Sequence, residues 1–202
     1  MKRLSLVSIL CLLLALIGLS SCNDSSLRKD ILGEWEGDPD TMVALGKITN
    51  GQADFHSFNF TFSDETHGVL NFEYTIRPKV DGEAMSLRLA FSAPITYKIL
   101  GGRLSFKFDQ AATRAELLEY LINGKECFEI LREEAEGEDE QSLQDTYQKM
   151  KREMEESVKE GMLEGFGEAG GEAFGNDLKV KDGIMTMTDD DQVLLSFHRK
   201  KS

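Results

Sequence analysis

The stretch His56-Ser-Phe-Asn-Phe-Thr-Phe-Ser63 alternates without a slip. Residues two apart in an extended chain share a face, so Phe58, Phe60 and Phe62 line one side of a strand, an arrangement that helical winding would scatter. Leu70, Phe72, Tyr74 and Ile76 repeat the pattern after the turn-forming residues Asp64 to Gly68, and the two runs together predict a hairpin. Leu87, Leu89 and Phe91 alternate again, Pro94 predicts a break or bulge, and Ile95 to Leu100 lead through Gly101-Gly102 into Leu104, Phe106 and Phe108. Leu178 to Lys181, Ile184 to Thr188 and Val193 to Arg199 read as three more short strands, separated by Asp182-Gly183 and Asp189-Asp190-Asp191. With a strand from Gly33 to Gly37 and a weaker one near Met42 to Lys47, the total is about nine, which suggests an antiparallel sandwich or barrel.

Between these strands lies a segment of different character. Residues 111–175 hold eighteen acidic and seven basic residues and carry most of the net charge of −13. Strand-forming runs stand on both sides of it, so it reads as an acidic helical insertion into one domain. Ala111 to Ile122 and Lys125 to Glu134 have helical spacing, separated by Asn123-Gly124 as a C-cap. A longer apolar stripe runs through Leu143, Tyr147, Met150, Met154, Val158, Met162 and Phe166 at steps of three or four. Such a stripe packs against the body of the protein or forms a candidate partner face, to which adaptable methionines are suited. Glycines crowd from Gly161 to Gly175 and predict a flexible return. Gly165-Phe-Gly167-Glu-Ala-Gly170 matches a dinucleotide fingerprint in letters only: it follows a helix, and its glutamates would repel a pyrophosphate.

The N-terminus fixes a compartment. Lys2 and Arg3 precede an almost wholly apolar run from Leu4 to Leu19, too short for a comfortable membrane span and followed directly by polar residues, as in a secretory signal. Leu19-Ser20-Ser21-Cys22 resembles the bacterial lipobox. That resemblance implies a signal peptide of residues 1–21, a lipidated tether at 22–32, and a membrane anchor of several acyl chains on Cys22, in the cell envelope and by expectation at the outer membrane. Cys11 leaves with the signal, and Cys127 then has no partner for an internal disulfide, so the fold must be held by its core. Cys127 is expected as a small buried apolar residue.

Ile31-Leu32-Gly33-Glu34-Trp35 resembles the opening Gly-x-Trp of lipocalins, and Phe60 to Gly68, Ile95 to Phe106 and Leu178 to Lys200 are similar to strands of the small lipocalin-like lipoproteins of the Bacteroidetes group. The resemblance implies a mainly β fold: an antiparallel lipocalin-like (calycin) β-barrel over residues 33–202 with an α-helical insertion at 111–175. In lipocalins an arginine from near the last strand lies across the tryptophan at the closed end, and Arg199 stands at the matching position to pair with Trp35 as a cation–π contact. Asp40-Thr41-Met42 resembles the O-glycosylation motif of exported Bacteroidetes proteins, which makes Thr41 a candidate acceptor.

Catalytic constellations are hard to find. His56, His67 and His198 form no His-Glu-x-x-His pair, and there is no Cys-x-x-Cys, Gly-x-Ser-x-Gly or phosphate loop, so no enzyme, cofactor or metal is expected. The acidic balance disfavours nucleic acid. Two expectations remain. One is a non-catalytic binder of a small hydrophobic ligand, its cavity lined by Phe58, Phe60, Phe62, Leu70, Phe72, Tyr74, Leu89, Phe91 and Phe106. The other is an interaction module that docks an envelope protein through the insertion, with Leu143, Tyr147, Met150, Met154, Val158 and Met162 as its face.

Overall fold

A computed structural model of the chain describes residues 24–80, 82–135, 139–168, 173–188 and 194–201. Cys22, the leader before it, Asp189 to Asp191 and Val193 lie outside the described residues. A short helix α1 (residues 24–30) leads into β1 (Gly33–Gly37) and then helix α2 (Pro39–Ile48). β2 (Ala53–Phe62) and β3 (His67–Ile76) form the predicted hairpin, with Phe58 opposite Phe72 and Phe60 opposite Leu70. After β4 (Lys79–Val80) come the long β5 (Glu83–Leu100), β6 (Arg103–Phe108), β7 (Arg114–Ile122) and β8 (Lys125–Glu126). Helices α3 (Cys127–Glu134) and α4 (Glu140–Glu168) follow, and β9 (Ala173–Lys181), β10 (Ile184–Thr188) and β11 (Leu194–Arg199) complete the chain.

The protein is mainly β, and eight antiparallel strands close on themselves in the order β1-β2-β3-β5-β6-β9-β10-β11, with β11 returning to β1. Closure removes the free edges that an open sheet would expose. The inward half of each alternating pattern meets in one core, in which Phe58, Phe60, Phe62, Phe72, Phe91 and Phe197 are all buried. Turns follow the local chemistry: Asn123-Gly124 and Asp182-Gly183 all take positive φ, the pairing a two-residue hairpin of the primed type requires.

Four local expectations change. Met42 to Lys47 is not a strand but part of α2. Asp38 sits in extended conformation before Pro39, its carboxylate accepts from the Thr41 amide at 2.8 Å, and proline at the first turn completes the start signal. Pro94 does not break its run, because β5 continues straight through it. Its carbonyl faces the gap between β6 and β7, where it accepts from Asp109 N at 2.8 Å, so the missing proline N–H falls where no ladder partner stands.

The third and largest difference is at 111–122, expected to be helical and found as β7. The register slips between Arg88 and Leu89, so Leu118 is the extra residue of a bulge; Ala115, Leu117, Tyr120 and Ile122 then face the core. A spacing of two, three, two imitates a helical stripe, and the bulge alone produces it. Asn123-Gly124 consequently turns a β7–β8 hairpin and caps no helix, and the acidic insertion is a strand pair followed by two helices. The fourth is the stretch 22–32, expected as a tether: from residue 24 it is a helix docked on the barrel, with Leu27 and Ile31 buried.

Candidate functional site

One end of the barrel is shut by the N-terminal helix. Trp35 is 1% exposed, pairs with Phe60 on one side and Arg199 on the other, and its indole N–H donates to Ile31 O at 2.6 Å. The Arg199 guanidinium carbon stands 4.5 Å from the Trp35 ring centroid. Its two terminal nitrogens donate to Leu32 O, at 2.6 Å, and to Asp30 O, so the arginine ties the last strand to the end of α1 while covering the indole. At the start of α1, the buried Asp24 carboxylate accepts from Gly101 N at 2.9 Å and Gly102 N at 3.2 Å, and Arg28 donates to Ile99 O. Asp24 and Arg28 carry no motif in the sequence; only the fold brings the β5–β6 turn to them.

Behind this plug the interior is a column of aromatic rings. Phe58 stacks on Phe72 at 5.4 Å, Phe72 on Phe91 at 4.8 Å, and Phe60 on Phe62 at 5.3 Å, while Phe197 meets Phe60 edge-on at 5.5 Å. Phe106 reaches the same column, edge-on to Phe60 at 6.2 Å. Leu70, Tyr74 and Leu89 are buried beside them, and burial pushes the Tyr74 hydroxyl up to about 12. All nine residues expected to line a cavity therefore converge, and what they build is ring-on-ring packing at the distances of a protein core.

The methionine stripe of α4 has an occupant. Leu143 is buried, and Tyr147, Met150, Met154, Val158 and Met162 are half-covered against the same core, beside β7. The Glu155 carboxylate accepts from Leu117 N at 2.9 Å, so α4 satisfies a backbone donor on the outer edge of β7. The opposite face of α4 is exposed at Asp145, Glu153, Glu156, Glu160 and Glu164, against Lys149 and Arg152. It is acidic.

The remaining candidates separate. Thr41 is 1% exposed; its hydroxyl donates to Ser196 O and accepts from Ser196 N, both at 2.8 Å, so as folded it offers no acceptor for a glycan. His56 bonds Thr75 at 2.7 Å near the start of β2, whereas His67 lies at the far end of the hairpin on Asp64. The amide of Thr66, with further help from His67, holds the Asp64 carboxyl down to about 2. Among the described residues no three His, Cys, Asp or Glu side chains converge on a metal position. Cys127 is buried, and burial, reinforced by the Glu126 charge, pushes its thiol up and away from the reactive thiolate. Among the described residues no helix is long and apolar enough to cross a membrane. Comparison with protein-family models, with curated proteins and with solved structures gives no match.

Proposed function

We propose that this chain is a lipid-anchored envelope protein with a lipocalin-like barrel, acting without catalysis as an interaction module through the acidic outer face of α4. The observation that carries the reading is the aromatic column. Interior positions that a ligand-binding barrel would leave open are filled by Phe58, Phe60, Phe72 and Phe91 packed on one another. Such packing argues for a filled interior over an open ligand cavity, and the surface that then carries the reading is the helix, seated by its methionines and facing outward with glutamates. A partner suited to it is a protein with a basic face. The Trp35–Arg199 closure and the eight-strand order support the lipocalin likeness, and the docking of residues 24–31 on the barrel suits an acylated cysteine two residues earlier.

The test reverses charge without touching the stripe. Glu153→Lys with Glu156→Lys and Glu160→Lys should abolish recovery of a crosslinked envelope partner while leaving the thermal midpoint within a degree or two. Retained partner capture at full strength sinks the α4 reading. A lipid or sterol that binds the wild-type chain stoichiometrically in native mass spectrometry would restore the ligand reading.

A further inference from the structure

We infer that the outer wall of β5 and β6 carries an anion-binding site for a phosphate-type group. Outward alternation puts Thr96, Lys98 and Leu100 on β5 beside Arg103, Ser105 and Lys107 on β6. Thr96 faces Lys107 and Lys98 faces Ser105 across the ladder, so the two ammonium groups stand on a diagonal with a hydroxyl at each of the other corners. These four residues, together with Tyr97 and Phe106, line a recess of ≈ 310 Å³, larger than a bare oxyanion fills and suited to one carrying a substituent. Not one carboxylate belongs to this outward set of six.

The two lysines gather positive charge on an acidic chain. The chain has a net charge of −13, and several of its cations elsewhere are matched: Lys125 with Glu133, Lys151 with Glu155, Lys159 with Glu156 and Arg88 with Glu73. Among the described residues Lys98 and Lys107 have no ion-pair partner, and Arg103 donates to the neutral Asn176 side chain at 2.8 Å. Like charges set on a diagonal repel unless an anion lies between them, and Thr96 and Ser105 add hydroxyl donors suited to phosphate oxygens. The recess also lies on the two strands joined by the Gly101-Gly102 turn to which Asp24 is tied. An anionic lipid headgroup and free phosphate share this chemistry, and the experiment separates them. The site is independent of the acidic α4 face.

The test is lysine-reactivity footprinting of the full chain in zwitterionic detergent micelles, with inorganic phosphate in one arm and anionic phosphatidylglycerol vesicles in the other. Lys98 and Lys107 should be protected about threefold at a ligand concentration twice the dissociation constant, while Lys149 on α4, its side chain 73% exposed, stays unchanged. In Lys98→Gln, Lys107 should lose its protection, and salt should weaken the effect in the wild-type chain. Protection in both arms supports the site as a phosphate-type acceptor, and protection by vesicles alone assigns it to a headgroup. No protection in either arm, or equal protection of Lys149, overturns it. Failure here leaves the α4 reading standing, and loss of the α4 partner leaves this site standing.

Discussion

Phe60 and Met154 pack into the same core, yet Phe60 is sealed within a closed ring of strands while Met154 is only half-covered on a helix laid against the outside. The barrel obtains its burial from strands that hydrogen-bond on both edges, and each inward side chain is enclosed by neighbours from the whole circle. The β7–β8–α3–α4 excursion has one ladder, to β5, and one row of methionines. Stability is distributed accordingly: enclosure gives cooperative units that open only globally, whereas a single seam lets a segment open by itself.

That contrast can be broken most forcefully inside the barrel. Phe60→Ala should destabilise the protein by about 3–5 kcal/mol in chemical denaturation, since the cavity is ringed by stiff aromatic neighbours; a loss under about 1 kcal/mol would mean that the column is not packed. Arg199→Ala should cost about 2–3 kcal/mol, combining the contact over Trp35 with the bonds to the Asp30 and Leu32 carbonyls, and should red-shift Trp35 emission. Met154→Ala should cost only about 1–2 kcal/mol, below the range for a fully enclosed methionine. Its diagnostic readout is hydrogen exchange: amides of α4 and β7 should speed up while β2 and β10 stay protected. Uniform acceleration would make the excursion and barrel one cooperative unit.

The smallest expected effect is on acid stability. Asp64 is held near 2 in the folded chain, below the ordinary carboxyl value of about 3.9, so its contribution is present above about pH 4 and disappears as pH falls toward about 2. Asp64→Asn should flatten that part of the stability–pH curve and leave its shape between about pH 6 and 8 as in the wild-type chain. An unchanged acid limb would remove the β2–β3 turn from the account.

Where alternation is unbroken, the chain declares itself: β1 and β10 occupy the residues their patterns mark, and Phe58, Phe60 and Phe62 face inward as read. Legibility fails where geometry depends on a partner strand. β7 carries a bulge whose need arises only from pairing with β5, and Pro94 is tolerated only because β6 ends before β7 begins. At Asp38-Pro39 the local start signal outranks a weak apolar alternation, and the helix wins. The recess at Lys98 and Lys107 is invisible in the sequence because its four corners come from two strands whose register is set by the turn between them.

Asp24 ends with a different kind of consequence. It stands two positions after Cys22, with Asn23 alone between them, and a chain reaches only about 3.3–3.6 Å per residue, so an acylated Cys22 would moor the barrel on a leash of about 7 Å. So short a leash fixes posture. The Gly101-Gly102 rim would ride at the lipid surface, the Lys98–Lys107 wall would sweep the headgroup layer, and the molecule would turn about its anchor like a door on one hinge instead of drifting above the bilayer like a buoy.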